Sequence, residues 1–406
     1  MFKKFFGVIV NAKWQRKFFL PLAGVLAVAV IFTLGLWVGD GRISFGLHSS
    51  QTGLPGQLNY SSINQVYQAL KDNYNGKLTA TQLTDGLKHG LAAATNDPYT
   101  EYFTPTEAKT FNGELNNSFS GVGAELSQDA AGDIQIISPI SGFPADKAGL
   151  KPQDIITSIN GVSTSGMSVD TAVNKIRGKS GTTVTLGIVR ASQPLTITIT
   201  RQNIQVPSVN TKILDGNIGY MHITTFADDT ASLAQTAADK FKQEQVKGIV
   251  LDLRDNPGGL LDAAVSVSSL WLPEGDTVVQ EKGTIGNITH TATGNDELAG
   301  IPTVVLINSG SASASEITAG ALHDNKAATL IGEKSYGKGV VQQLIDFPDG
   351  SQLKVTVASW YRPNGANINH QGIKPDQVVD LSDADAQAGN DTQVTAAQAY
   401  ITAHEQ

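Results

Sequence analysis

VVLINSGSASASEITAGALHD, residues 304–324, is the most informative segment of this chain. TVVLIN, which begins at Thr303, is a short apolar run typical of a buried strand, NSGS favours a turn, and ASASEITAGALHD has the spacing of a helix. Ser313 falls at the start of that helix, where free N–H groups and the positive dipole end can stabilise an oxyanion. A serine at this place is more often only a helix cap, so a chemical role requires a partner.

Lys338 is the partner that the sequence offers. It lies between two glycines in SYGKGVVQ, residues 335–342, and a serine with a lysine is a known nucleophile–base pair. Lowering a lysine pKa from ~10.4 to about 7–8 requires burial or a nearby cation that disfavours the charged form by ~4 kcal/mol. The glycines allow close burial, and the following valines supply apolar surroundings. Gln342 shares a face with Lys338 on either a strand or a helix, so it can orient the amine.

Other chemistries fit these residues less well. Residues 332–338 match part of a phosphate-binding loop, but Gly339 stands where Mg²⁺ needs a hydroxyl. His323 lies about 15 Å from Ser313 along the predicted helix and cannot be the base. The histidines have no metal-ligand spacing, and the absence of cysteine excludes disulfides, thiolate metal sites and a cysteine nucleophile. We therefore expect neither a cofactor nor a metal.

LDLRDNPGG, residues 251–259, ends a second apolar strand. Its two glycines can present a backbone N–H to the serine turn as a second oxyanion donor, although the segment also fits a plain strand–helix turn. From about residue 217 onward, strands alternate with helices. This alternation predicts a layered α/β core with a partly parallel sheet.

The N-terminus indicates a membrane anchor. Residues 18–39 form an almost unbroken apolar run, which at ~1.5 Å per residue spans a ~30 Å hydrocarbon layer. Lysines and an arginine precede the run, so residues 1–17 are predicted to be cytoplasmic and the rest extracytoplasmic. A cleaved signal peptide is the alternative, but the run is longer than a usual signal sequence and no small-x-small site follows it. We expect a single-pass protein of the cell membrane.

Composition divides the remaining chain. Residues 58–112 have apolar side chains at helical spacing, and DPYTEYF within them is predicted to serve packing rather than chemistry. The net charge of −8, with no polybasic stripe, argues against a nucleic-acid partner. The predicted parts are a cytoplasmic segment at 1–17, a transmembrane helix at 18–39, a linker at 40–57, a helical region at 58–115, a β-rich domain at 116–203, an α/β core at 204–380 and a tail at 381–406.

Taken together, VLDLRDNPGGLLDAAV, VVLINSGSASASEITAGALHD and SYGKGVVQ resemble the motifs of the C-terminal processing peptidases, also called tail-specific proteases. The resemblance covers about residues 58–380 and implies a serine endopeptidase. It implies that Ser313 is the nucleophile, Lys338 the general base and Gln342 the residue that orients it. It further implies that the oxyanion N–H groups belong to Ala314 and Gly259.

FSGVGAEL and SPISGFPADKAGLKPQDIITSINGVS resemble the PDZ domain that these peptidases carry before the protease core. Free N–H groups in such a loop can hold a terminal carboxylate while the peptide adds a strand to the sheet. The loop residues are Gly121, Val122, Gly123 and Ala124. The implied partners are proteins with apolar C-terminal tails. The sequence leaves open whether the chain also forms a homo-oligomer. We also expect Arg177, at the end of the PDZ helix, to contact the core.

Two other functions fit the same residues. A non-catalytic peptide-binding scaffold would use the PDZ groove alone, but it would have no need of both Ser313 and Lys338. An acyl hydrolase for esters or lactams would use the same pair, but it would have no need of a domain that reads tails. The sequence therefore favours a membrane-anchored serine endopeptidase of multidomain α/β fold.

Overall fold

The computed structural model describes residues 54–404 except 130, 285, 383, 386 and 387. The predicted cytoplasmic segment, transmembrane helix and most of the linker lie outside the described residues. Among the residues that are described, no helix combines the length and the apolar character needed to cross a bilayer. From residue 63 onward, the described residues form one compact unit. This unit contains both the β-rich domain and the α/β core.

Helices dominate residues 60–115. The elements are α1 (Tyr60–Asn73), α2 (Ala80–Ala93), β1 (Glu101–Phe103) and α3 (Pro105–Leu115). Capping boxes start two of the helices, with Thr79 and Gln82 at α2 and with Thr104 and Glu107 at α3. Helix α2 packs on β1, and Lys88 donates to the Tyr102 hydroxyl at 3.0 Å.

The β-rich domain is an antiparallel sheet with two helices. Its elements are β2 (Ser118–Gly121), β3 (Ala124–Gln128), β4 (Ile134–Pro139), α4 (Pro144–Lys147), β5 (Ile155–Ile159), β6 (Val162–Ser163), α5 (Val169–Ile176), β7 (Thr183–Arg190), β8 (Gln193–Thr200) and β9 (Gln202–Gln205). The strand order is β3-β4-β5-β7-β8, with β6 beside β5, and β2 pairs separately with β9. Alternating Ile, Val and Leu side chains fill the core because they face inward from successive strands.

The α/β core is built on a six-stranded sheet. Its strands are β10 (Val209–Leu214), β11 (Ile218–Ile223), β12 (Gly248–Asp252), β15 (Thr303–Ile307), β16 (Thr329–Gly332) and β19 (Gln377–Val378), in that spatial order. All neighbours are parallel except β10 and β11. Strands β12 and β15 are buried throughout, as continuous apolar strands of a two-sided sheet should be.

Helices cover both faces of that sheet. Helices α6 (Thr230–Gln243), α7 (Leu261–Ser268) and α8 (Ala314–Asp324) share one apolar cluster with the sheet, and α9 (Thr392–Ala403) belongs to another. Ala397 and Ile401 of α9 are fully buried, and Arg254 binds Asp391 at the start of the helix. The segment predicted as a tail from residue 381 therefore contributes a packed layer of the core.

A second sheet lies beside the core. It contains β13 (Thr277–Gly283), β14 (Gly286–Thr291), β17 (Val340–Asp346) and β18 (Gln352–Tyr361), and β1 pairs with β18. This pairing joins the N-terminal helical region to the strand that neighbours β17, which follows the predicted lysine loop.

In the six-stranded sheet, the parallel strands place their carboxyl ends at one edge, and the turns after β12 and β15 meet there.

Candidate active site

Ser313 occupies a sharp turn between β15 and α8. Its φ of +53° and ψ of −115° are rare for a residue with a side chain and cost about 1–3 kcal/mol. Its N–H donates to Glu316 Oε2 at 2.9 Å, and its side chain is half-buried. A strained turn of this kind presents one hydroxyl at the end of a strand.

The neighbouring serines are tied to the backbone instead. Ser311 Oγ donates to the Leu253 carbonyl at 2.7 Å, and Ser315 Oγ donates to the Asn256 carbonyl at 2.9 Å. Both serines are fully buried. Because their hydroxyls hold the turn to the loop after β12, Ser313 is the one of these three whose hydroxyl is available.

Gly258 and Gly259 lie directly against the serine turn. Gly258 has a φ of +100°, and a Cβ there would lie 2.7 Å from both the Ala312 carbonyl oxygen and Ser313 Cβ. The N–H of Gly258 is donated to Asn256 Oδ1 at 2.9 Å. In the described chain, the N–H groups of Gly259 and Ala314 have no acceptor. The two N–H groups that the family resemblance assigns to the oxyanion are therefore the ones, of these three, without an acceptor.

Lys338 lies in a loop that is anchored by its backbone. Its carbonyl accepts from Trp360 Nε1 at 2.7 Å, and its Nζ lies 5.1 Å from the centre of the Tyr99 ring. Burial lowers the pKa of Lys338 below its ordinary value, and the nearby Lys354 lowers it further. Glu316 and Asp97 act in the opposite direction because their negative charges favour the ammonium form.

The predicted side-chain contacts are only partly formed. Within the described residues, Lys338 makes no hydrogen bond to Ser313 or to Gln342. Gln342 Nε2 instead donates to Thr356 Oγ1 at 3.2 Å, beside a register shift between β17 and β18. What the structure does join is the two backbones, because the N–H groups of Ser313 and Lys338 donate to the same oxygen of Glu316.

Residues outside the predicted set complete the surroundings. Tyr99 and Asp97 belong to DPYTEYF, the segment predicted to serve packing, yet they face Lys338. Burial disfavours the charge on Asp97, but hydrogen bonds from Thr100 and Thr356 outweigh this and hold its pKa below the usual range. No local signal in the sequence predicts this placement, since it depends on β1 pairing with β18 far along the chain.

His323, which follows Ser313 on the same helix, points to other partners. His323 lies at the far end of α8, where it contacts Asp324 and Asp376. Among the residues that the structure describes, no group of His, Asp and Glu side chains could hold a metal ion.

The PDZ loop also offers backbone donors. The carbonyl oxygens of Val122 and Gly123 accept from Ala145 and Ile140, at 2.7 and 2.9 Å, whereas their N–H groups have no acceptor in the described chain. Gly123 has a φ of +75°, which favours glycine. Strand β3, which follows, pairs with β4 on one side only among the described strands, and α5 packs beside it.

Gly121 and Ala124 border this loop in regular pairs, with Gln202 and Pro139 respectively. Arg177, expected to reach the core, lies with its guanidinium 5.0 Å from the centre of the Phe119 ring. That contact is within the PDZ domain itself. The loop and the edge of β3 therefore form a self-contained candidate groove.

Comparison with known proteins identifies the family. The family model of peptidase family S41 matches residues 217–379, and that of the PDZ domain matches residues 112–189. The carboxy-terminal processing protease CtpA of Bacillus subtilis strain 168 is 38% identical over 372 residues, which covers 91% of this chain and 78% of that protein. This chain belongs to the carboxy-terminal processing protease family. It is a serine peptidase of family S41 with a PDZ domain, as the sequence predicted.

Other members give the same result. A probable CtpA-like serine protease of Staphylococcus haemolyticus is 40% identical over 370 residues, covering 90% of this chain and 72% of that protein. A putative S41 protease from Bacteroides fragilis shares the fold, with a TM-score of 0.55 and 18% identity over 87% of this chain and 100% of that one. The mixed α/β multidomain architecture of the carboxy-terminal processing proteases is thus confirmed.

Proposed function

We propose that this protease is a membrane-anchored endopeptidase that acts outside the cytoplasm through a Ser313–Lys338 dyad. One observation carries the dyad: the loop of a desolvated lysine is hydrogen-bonded, through Glu316, to the strained turn that bears Ser313. Burial and the charge of Lys354 both favour the neutral amine, which is the form that a general base needs.

In the proposed mechanism, neutral Lys338 takes the proton of the Ser313 hydroxyl as Oγ attacks the scissile carbonyl carbon. The N–H groups of Ala314 and Gly259 bind the resulting oxyanion. Collapse of the tetrahedral intermediate breaks the C–N bond, and the lysine ammonium returns the proton to the leaving amine. Water then attacks the acyl-enzyme with the same lysine as base, which releases the carboxylate product and restores the serine.

The first step requires movement of the Lys338 side chain, and orientation by Gln342 requires a second movement. The Lys338 amine must turn from the face of Tyr99 toward Ser313, and Gln342 must leave Thr356 if it is to orient the amine. Such catalytic hydrogen bonds are often long or unformed without substrate and tighten when it binds. We propose that a bound peptide favours this rearrangement because it excludes water from the amine.

Substitution of the two catalytic side chains tests the dyad. We expect Ser313→Ala and Lys338→Ala each to lower cleavage of a model protein with an apolar tail by about 10⁴-fold, with folding intact. Ser309→Ala and Lys334→Ala are matched controls, because these residues are exposed and lie in the same two loops. They should retain cleavage. Substantial activity in either dyad variant would reject the mechanism.

Tail recognition is proposed for the PDZ groove. The unpartnered N–H groups of Val122 and Gly123 support capture of a terminal carboxylate, and the open edge of β3 supports addition of an extended peptide. The substrates are then proteins whose apolar C-terminal tails are unfolded. New C-termini read by mass spectrometry, after incubation of the enzyme with extracytoplasmic proteins, would test this selection.

Membrane anchoring and location rest on the apolar run at residues 18–39 and the basic residues before it. We propose one uncleaved span with the protease outside the cytoplasm. The full chain should then stay with membranes after an alkaline wash and begin at Met1. Intact cells treated with external protease, after removal of the wall, should lose the PDZ and core domains. Protection from the protease would contradict this topology.

A homo-oligomer is supported by the apolar surface of α1 and α2. Leu87 and Val66 are 52% and 61% exposed, and with Tyr67, Leu70 and Leu83 they line a groove of about 350 Å³. Large exposed apolar patches usually mark interfaces. We propose that a second copy covers this groove. Light scattering of the purified protein should show a dimer or a larger oligomer that Val66→Asp and Leu87→Asp dissociate, and a monomer would contradict the proposal.

A further inference from the structure

Glu316 is a fully buried carboxylate at the centre of the candidate site. Its Oε2 accepts the N–H groups of Ser313 at 2.9 Å and Lys338 at 3.0 Å. Its Oε1 accepts the Gly337 N–H at 2.8 Å and the Ser335 hydroxyl at 2.5 Å. One side chain thus uses both oxygens to join the serine turn to the lysine loop.

We propose that Glu316 is a positioning residue that fixes the serine turn and the lysine loop at the separation that proton transfer needs. The proposal rests on the Ser313–Lys338 mechanism given above. Because one oxygen atom accepts from both backbone amides, any movement of the lysine loop away from the turn must break one of these bonds. The same bonds help to hold Ser313 at its positive φ, a conformation that the isolated chain would not favour.

The surroundings of Glu316 fit the ionised carboxylate. All four partners donate, and the proton of Ser335 is directed to Glu316 because Ser335 Oγ itself accepts the N–H of Ile373 at 2.7 Å. Burial raises the pKa of Glu316, while the hydrogen bonds from Ser335, Lys338, Gly337 and Ser313 act against the rise. A carboxylate with four donors is an acceptor-only group for which an amide is a poor substitute.

Glu316 also sets the charge that Lys338 experiences. The charged or titratable groups that face Lys338 are Lys354, which favours the neutral amine, Glu316 and Asp97, which favour the ammonium, and Tyr99 under the amine. Removing the negative charge of Glu316 should therefore lower the pKa of Lys338. Neutral lysine would then be present at lower pH, although less well placed. Loss of position should lower kcat, whereas loss of charge should move the pH profile to lower pH. The two roles can therefore be measured separately.

Glu316→Gln tests both parts. In either orientation the Gln amide places an NH₂ against two donors, so the two loops should move apart. We expect kcat on a short, tail-free peptide to fall about 100-fold or more, as for misplacement by an ångström, with KM changed by less than about 3-fold. The acid limb of the residual kcat/KM profile should move to lower pH. The thermal unfolding transition, followed by circular dichroism, would show whether the variant is folded as the wild type is.

Glu316→Asp is the second variant, and Asp154→Asn is the matched control. Aspartate keeps the charge but is one methylene shorter, so kcat should fall while the acid limb stays in place. Asp154 is a buried carboxylate of the PDZ domain, paired with Arg190, and its amide variant should keep kcat on the tail-free peptide. This control shows whether a fall in kcat follows from loss of any buried carboxylate or only from loss of the Glu316 carboxylate.

Several results would overturn the proposal. These are a wild-type kcat in Glu316→Gln, and a low kcat whose acid limb does not move relative to Glu316→Asp. The dyad stands apart from these outcomes. If Ser313→Ala or Lys338→Ala stays active, the proposed mechanism itself fails. If both are inactive while Glu316→Gln behaves as wild type, only the role of Glu316 fails.

Discussion

The PDZ loop and the serine turn both offer free backbone N–H groups to an oxygen anion, but they are built differently. In the PDZ loop, the backbone is held by two hydrogen bonds to its own carbonyl oxygens, those of Val122 and Gly123. At the serine turn, the buried side chains of Asn256, Glu316 and Ser311 hold the backbone, and a neighbouring loop of glycines fits against it.

The difference matches the two anions that we propose these sites bind. A C-terminal carboxylate carries its charge before it binds, so a loop that adjusts to it suffices. The oxyanion exists only near the transition state, and donors that must rearrange at that moment lose most of their effect. Changes at the serine turn should therefore act on kcat with any substrate. Changes at the PDZ loop should act on KM, and only for substrates with tails.

Among the changes that test this comparison, Gly258→Ala should have the largest effect on kcat. The new Cβ would lie 2.7 Å from Ser313 Cβ and from the Ala312 carbonyl oxygen, at a φ of +100°. Because the free N–H of Gly259 is adjacent, we expect kcat to fall about 10²–10³-fold on tailed proteins and short peptides alike. Gly275→Ala is the control, since it also has a positive φ, of +91°, but open space around it. Equal kcat values for Gly258→Ala and Gly275→Ala would contradict the special sensitivity of the serine turn, and with it the difference from the PDZ loop.

Much of this contrast could be predicted from the sequence. The strand–turn–helix at residues 303–324 and the glycine loop after β12 are local patterns, and both lie where predicted. Glu316 also has a local signature, because a serine followed three residues later by glutamate at a helix start is the pattern of a capping box. Here the glutamate carries further hydrogen bonds that bind a second loop, and no spacing rule shows those.

What could not be predicted depends on contacts between distant segments. Tyr99 and Asp97 lie beside Lys338, and the pairing of β1 with β18 brings their segment there. Helix α9 packs on the sheet through its buried Ala397 and Ile401. Periodicity gives the type of an element but not its partner in the sheet. The two candidate residues could therefore be proposed from motifs, whereas the charges around them required the fold.

An intermediate effect is predicted for Lys354→Gln, which changes charge at the serine site without entering the turn. Lys354 helps to lower the pKa of Lys338, so its removal should raise that pKa and shift the acid limb of kcat/KM to higher pH. We expect the rate at pH 7 to fall about 3–10-fold, since a shift of one pKa unit changes the neutral fraction about tenfold. This shift is opposite in sign to that of Glu316→Gln.

Glu101→Gln is the control for Lys354→Gln, because it breaks the 3.1 Å ion pair of Lys354 and leaves the lysine charge in place. It should leave the acid limb at the wild-type pH or lower, since it removes a negative neighbour of Lys354. If both variants shift the limb equally upward, the ion pair rather than the charge near Lys338 is responsible. The pH profiles should be measured on a tail-free peptide, so that binding to the PDZ domain does not contribute.

The smallest effect on kcat is expected for Gly123→Ala, which completes the comparison because it should change KM alone. A Cβ at this φ of +75° would lie 2.8 Å from Phe143 Cβ, so the loop must shift and its N–H groups with it. We expect KM for a tailed protein to rise about tenfold, roughly the loss of one hydrogen bond to a charged group, and kcat on a short peptide to stay unchanged. Gly132→Ala, in the same domain with a φ of +84° and open space, should change neither. A fall in kcat on the short peptide would mean that the PDZ loop acts on the chemistry as well as on binding, because a loop that only captures tails has no route to the rate on a substrate without one.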